Sequence, residues 1–133
     1  MPARFVILHH RLENSEHWDL MLEQGDVLLT WQLPREPVDR SSFPIPARRI
    51  GDHRKAYLDY EGPLSGGRGE VRRVDAGAVR IDVASEGRFQ ISLTGSRLHG
   101  RFTLERAADG GWTLETLFEP QKPFSEECRP GAS

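Results

Sequence analysis

The chain has 133 residues, 37% of them hydrophobic and 29% charged, with a formal net charge of −2. That balance fits one globular domain and excludes a disordered chain; no run approaches the ~18 consecutive apolar residues of a membrane span, and MPARFVILHH has too short an apolar core for a secretory signal. The lone cysteine, Cys128, excludes an internal disulfide and a cysteine-only zinc site, and a single thiol in a chain without a signal points to the cytoplasm.

Period-two alternation broken by glycine turns organises the chain. Arg4–His10 reads as a strand, followed by a polar connection through Glu13, Asn14 and Ser15. His17–Glu23 alternates, with Trp18, Leu20 and Leu22 on one face and His17, Asp19, Met21 and Glu23 on the other. Gln24-Gly25-Asp26 turns the chain into Val27–Leu33, a hairpin whose Trp31 and Leu33 join the same apolar layer. Four prolines between Pro34 and Pro46 predict a loop without helix. Arg48–Ile50 and Ala56–Tyr60 read as short extended pieces around Gly51-Asp52-His53, and Ser65–Gly69 as a flexible turn. A meander follows: Glu70–Val74, Val79–Ala84, Phe89–Thr94, Gly100–Arg106 and Trp112–Phe118. Its expected turns are Asp75-Ala76-Gly77, Ser85-Glu86-Gly87, Gly95-Ser96 and Asp109-Gly110-Gly111. The expectation is an all-β fold, a small antiparallel β-barrel with little helix, formed by residues 1–118 as a single domain. Residues 119–133, with Pro120, Pro123 and Pro130, read as a polar C-terminal tail.

His17-Trp18-Asp19 is the strongest chemical feature. Residues i and i+2 of a strand project from one face with Cα atoms about 6.5–7 Å apart, so an imidazole and a carboxylate can converge on one ion while Trp18 anchors the strand from behind. His9 and His10 end the preceding strand, and either can join His17 and Asp19. Two histidines and one aspartate suit Mn²⁺, Fe²⁺ or Zn²⁺; alone, His-x-Asp is equally a surface hydrogen bond. His53, followed by Arg54, Lys55 and Tyr57, can hold a phosphate or protonate a leaving oxygen, or simply occupy an exposed turn. Sixteen of the eighteen basic residues are arginine, and residues 48–106 carry twelve basic against eight acidic side chains. A basic middle of this kind either faces an anionic partner or is a solvated surface.

Taken together, the motifs resemble a known family. His17-Trp18-Asp19-Leu20-Met21-Leu22-Glu23 with Gly25-Asp26-Val27-Leu28-Leu29-Thr30-Trp31 is similar to the His-Tyr-Asp-Leu-Arg-Leu-Glu…Gly-Val-Leu-x-Ser-Trp signature of the 3′-phosphoesterase domain of bacterial DNA ligase D. Asp52-His53-Arg54-Lys55-Ala56-Tyr57-Leu58-Asp59-Tyr60-Glu61-Gly62 resembles its Asp-His-Pro-x-x-Tyr-x-x-Phe-Glu-Gly block. Phe5–His10 matches the opening strand, and Leu93–Leu104 (LTGSRLHGRFTL) the closing hairpin. The blocks run in family order from Arg4 to Leu117, and with no ligase or polymerase module in the sequence a stand-alone version is expected.

The resemblance implies a small β-barrel that removes 3′ phosphates or 3′ ribonucleotides from nucleic-acid ends in DNA end repair. The implied cofactor is a divalent metal, manganese first, with zinc or iron as alternatives. The implied metal ligands are His10, His17 and Asp19, with His53 and Tyr57 as catalytic residues and His53 also contacting phosphate. Implied partners are DNA or primer–template 3′ ends and a separate ligase or polymerase, and no membrane. Two departures stand out. The gap from His10 to His17 is seven residues where six is usual, which keeps His9 in play. The family's phosphate-contacting arginine, two residues past the aspartate, is Met21 here, a loss worth on the order of 10²-fold in rate. Arg48, Arg49, Arg54 and Arg11 are the candidates to replace it. The alternative function is a binding module that recognises nucleic-acid ends without cutting them. An iron oxygenase on a β-barrel is a third reading, disfavoured by the short chain and the Asp-His…Glu-Gly block.

Overall fold

In a computed structural model the described residues are 2–117; the expected tail at 119–133, with Cys128, and Phe118 lie outside them. Among the described residues nine strands form: β1 (Ala3–Arg11), β2 (Glu16–Gln24), β3 (Val27–Leu33), β4 (Ile45–Arg54), β5 (Gly62–Pro63), β6 (Glu70–Ser85), β7 (Arg88–Gly95), β8 (His99–Arg106) and β9 (Trp112–Thr116). Two antiparallel meanders, β1–β4 and β6–β9, are joined edge to edge through β4–β9 and β1–β6, which closes the sheet into a barrel. Every pairing is antiparallel, and the two-residue β5 adds only to the start of β6. Closure leaves no long exposed edge, the usual hazard of a small β protein. Among the described residues, no helix is long and apolar enough to cross a membrane.

Alternation sorts the side chains into two layers. The lumen is filled from all eight barrel strands, with Phe5, Ile7, Leu20, Trp31, Ile91 and Leu104 at its centre. A second, smaller cluster lies outside the wall: Val6 and Leu8 of β1, Met21 of β2, Leu28 of β3 and Val71 of β6, covered by Leu58. The residues on this outer face of β2 are those expected there, His17, Asp19, Met21 and Glu23. The connection from β4 to β6 folds across this face, so the candidate site lies under a covered patch of sheet.

Three local expectations are corrected. Ala56–Tyr60 is not extended: Lys55–Leu58 is a 3₁₀ turn, which lets Leu58 drop onto the outer cluster while Tyr57 stays half-buried beside it. Pro34–Pro46 is not wholly irregular either, since Arg40–Ser42 makes a 3₁₀ turn, and Ser42 Oγ accepts from the backbone N–H groups of Val38 and Asp39. Asp75-Ala76-Gly77 does not reverse the chain. β6 runs straight through it with a bulge, its first half pairing with β1 and its second with β7. The buried Asp75 carboxylate instead accepts from the backbone N–H groups of Ser96, Arg97 and Leu98, so a residue that looks like a turn former caps the β7–β8 turn.

Candidate active site

The β1–β2 hairpin sets the first half of the site. Leu12 N–H donates to the Ser15 carbonyl at 2.8 Å, and the register that follows places His10 directly opposite His17, and His9 opposite Trp18. Strand parity then separates the two neighbours. His10 shares the outer face with His17 and Asp19, whereas His9 stacks on Trp18 from the other side with ring centroids 4.5 Å apart and contacts Glu16 at 2.8 Å. The longer gap between the histidines is absorbed in the hairpin, and His10, not His9, is the one brought to Asp19.

His10, His17 and Asp19 each present one donor atom, all within 4.8 Å of one another. His10 Nδ1 is 3.1 Å from His17 Nε2, and His17 Nε2 is 3.2 Å from Asp19 Oδ1. His10 Nε2 lies 2.7 Å from the Arg68 carbonyl, to which it donates, leaving Nδ1 as a lone pair turned toward the other two groups. Arg68 is itself tied down, its guanidinium donating to the carbonyl and hydroxyl of Ser65.

Burial shapes the electrostatics of the cluster. Asp19 is 4% exposed, and its Oδ1 accepts no hydrogen bond from the described residues. Desolvation pushes its carboxyl up to about 7. The His17 imidazole is pushed down to about 4, first by burial and then by electrostatic coupling to His10, Arg48 and His9. Two imidazoles beside a carboxylate whose Oδ1 accepts no hydrogen bond from the described residues are a donor set suited to Mn²⁺, Fe²⁺ or Zn²⁺.

His53 reaches the same face through a defect. β3 and β4 pair Thr30 with Ile50 but Leu28 with His53, so β4 holds one extra residue at Gly51-Asp52. Without that bulge His53 would point into the lumen; with it, His53 sits on the outer face. Its Nδ1 is 3.0 Å from the Gly51 carbonyl, its ring meets Tyr57 edge-on at 5.4 Å, and burial is the main cause lowering its pKa, with His10 contributing. Tyr57, Arg54, Tyr60 and Arg68 line a cleft of about 450 Å³ on this side.

The arginines divide. Arg48 follows Gln32 and Asp19 in one cross-strand row and borders a second cleft of about 360 Å³ together with His17. Arg49, one residue on, lies on the lumen side with its guanidinium 4.8 Å from the Trp31 ring centre and 5.4 Å from that of Phe89. The structure therefore does not bring Arg49 to the site; it is an aromatic-boxed cation closing part of the core. Arg11 ends β1 opposite Glu16, on the His9 face. Met21 is 2% exposed in the outer apolar cluster. Gln32 is the side chain that residue-by-residue reading passed over. It was reachable: a two-residue turn at Gly25-Asp26 forces residue 32 opposite residue 19.

A bulged antiparallel barrel with a two-histidine, one-aspartate cluster outside its wall defines the class, and the chain belongs to the DNA Ligase D 3′-phosphoesterase domain family, which it matches over residues 8–106. It is 30% identical over 120 residues to the multifunctional non-homologous end joining protein LigD of Mycobacterium bovis, covering 85% of this chain and 16% of that protein. The multifunctional non-homologous end joining DNA repair protein LigD of Mycobacterium tuberculosis H37Rv matches to the same extent. The Mycolicibacterium smegmatis LigD protein is 23% identical over 141 residues, 96% of this chain and 18% of its own length. The chain thus spans less than a fifth of these relatives.

Proposed function

We propose that the protein is a metal-dependent phosphoesterase acting on 3′-phosphate or 3′-ribonucleotide ends of nucleic acid in DNA end repair. The observation that carries this reading is the meeting of His10, His17 and Asp19, with a buried carboxylate oxygen left unbonded, in a chain of this family. A divalent cation held there, manganese first and zinc or iron otherwise, would supply charge stabilisation for a phosphoryl group under attack.

The chain's own groups do the rest. The Arg68 carbonyl holds His10 in the tautomer that offers Nδ1. His53, with Nδ1–H committed to the Gly51 carbonyl, keeps Nε2 for proton exchange. Burial lowers the proton affinity of that ring, and an arriving phosphate dianion favours the protonated form able to donate to the leaving oxygen. Tyr57 packs edge-on against His53 and fixes it; Arg54 and Arg68 supply positive charge along the cleft. The LigD names of the relatives support a DNA end-repair setting, and in this reading the partners are nucleic-acid 3′ ends and a ligase or polymerase, with the cytoplasm as the location.

One observation favours a second reading, a module that binds such ends without cutting: Met21 leaves an apolar side chain where the family motif has arginine. A 3′-phosphorylated primer–template incubated with Mn²⁺ separates the two. Release of inorganic phosphate supports the esterase; tight binding with the phosphate retained supports the module.

A further inference from the structure

Gln32 stands at the junction between the cluster and the second cleft, in the row Asp19–Gln32–Arg48 that crosses β2, β3 and β4. Its amide has one donor end and one acceptor end. Arg48 Nη2 donates to Gln32 Oε1 at 2.8 Å, which commits the acceptor. Gln32 Nε2 is thereby turned to the cluster and lies 3.4 Å from His17 Nε2. One N–H of that amide is occupied by this long hydrogen bond to His17 Nε2; the second N–H cannot ligate a cation and is matched by an anionic oxygen placed among those groups.

We infer that Gln32, locked in this orientation by Arg48, donates to a phosphoryl oxygen of the substrate, so that the two residues form the anion-recognising arm of the site from the β3–β4 side. This deepens, and rests on, the reading of the site as a phosphoesterase centre. Two further observations support it. Met21 is buried among apolar side chains and offers no donor from β2. Arg48 is exposed, and it borders an open cleft of about 360 Å³ beside His17 in which a phosphate can sit. Arg48 is a positioning residue in this scheme, acting through the amide it orients.

The test titrates the full chain with Mn²⁺ alone, and with inorganic phosphate in the presence and absence of Mn²⁺, by calorimetry. The variants are Gln32→Ala, Gln32→Glu, Arg48→Met and Arg48→Lys, each checked by far-ultraviolet circular dichroism. Loss of one charge-assisted donor predicts about 10–100-fold weaker phosphate binding in Gln32→Ala with Mn²⁺ affinity kept within about threefold. Gln32→Glu turns an acceptor toward the cluster, so Mn²⁺ binds roughly tenfold tighter while phosphate binds at least tenfold weaker. Arg48→Met weakens phosphate by about tenfold, and Arg48→Lys, which keeps one donor to Oε1, recovers part of that loss. Wild-type phosphate affinity in Gln32→Ala and Arg48→Met overturns the assignment, as does a Gln32→Ala variant that loses Mn²⁺ while phosphate binding persists. A wild type that takes up no Mn²⁺ refutes the metal reading, and the phosphate affinities of the variants still decide on Gln32 and Arg48. A wild type that binds phosphate in neither condition overturns the arm itself.

Discussion

Asp19→Asn is expected to stabilise the metal-free protein while removing its function. The Asp19 side chain is buried, Oδ1 accepts no hydrogen bond from the described residues, and desolvation lifts its pKa from 3.8 to about 7. Because the folded value lies above the unfolded one, the associated stability is fully present below pH 4 and is lost as pH rises through 7. At about 1.4 kcal/mol for each pKa unit, the charge costs the fold about 4 kcal/mol at pH 8. The neutral amide escapes that cost, less what a buried amide spends on imperfect hydrogen bonds, so a gain of about 2–4 kcal/mol is expected. His17 has the opposite dependence: its depressed value means stability present above pH 6.5 and lost as pH falls through about 4. That contribution is common to both proteins and largely cancels in the difference. Urea unfolding in EDTA, followed by tryptophan fluorescence from pH 5 to 8, checks the prediction. The variant should lead at pH 8, and the gap should close as the pH falls toward 4–5. A variant equal to or weaker than wild type at pH 8, or a gap that ignores pH, refutes the account of Asp19 as an uncompensated buried charge.

The remaining predictions follow from the same geometry. If Mn²⁺ binds at Asp19 as proposed, it displaces the Asp19 proton, so affinity is expected to fall about tenfold per unit below pH 7, with His17 protonation entering only near 4. Calorimetric titration at pH 5.5, 6.5 and 7.5 reads this directly, and an affinity constant across that range contradicts it. His17→Ala removes one of three donors and should abolish stoichiometric Mn²⁺ binding with the β-sheet dichroism intact. Leu58→Ala should lower stability by about 2–4 kcal/mol, since Leu58 covers the outer cluster, and should raise KM more than it lowers kcat because Tyr57 loses its seat.

How far these features were legible in the sequence depends on whether local rules decide them. The two faces of Glu16–Gln24 and the pairing of residue 19 with residue 32 follow from alternation and a two-residue turn, so the cluster and the barrel could both be anticipated. What escaped depends on non-local partners. The side of β4 on which His53 lies is decided by a single extra residue at Gly51-Asp52, and nothing in the local pattern marks a bulge rather than a bend; Arg49, before the bulge, takes the lumen side through its pairing with Trp31. Asp75 looks like a turn former because aspartate usually is one; its carboxylate instead serves a turn twenty residues away. The Arg68 carbonyl that orients His10 comes from a segment 58 residues distant, brought there by the excursion from β4 to β6.

Met21 tests whether the site can revert to the motif of its family. An arginine restored at position 21 would project from the same face as Asp19, two residues away, yet the space it needs is filled: Val6, Leu8, Leu28, Leu58 and Val71 surround a side chain that is 2% exposed. A guanidinium left among them without its partner costs about 3–5 kcal/mol, and the way out runs through Leu58 and the 3₁₀ turn that carries Tyr57. Met21→Arg alone is therefore expected to lower stability by several kcal/mol without raising phosphate release, whereas Met21→Arg with Leu58→Ala, which opens the cover, should regain part of the stability. Chemical denaturation of both variants beside a Mn²⁺-dependent phosphate-release assay distinguishes the cases. If the single variant keeps wild-type stability and turns over faster, position 21 is still open to the phosphate, and the apolar cluster is no barrier. If it unfolds as expected, the methionine is one part of a repacked outer face, and recognition of the anion has to come from the β3–β4 side, where Gln32 and Arg48 stand.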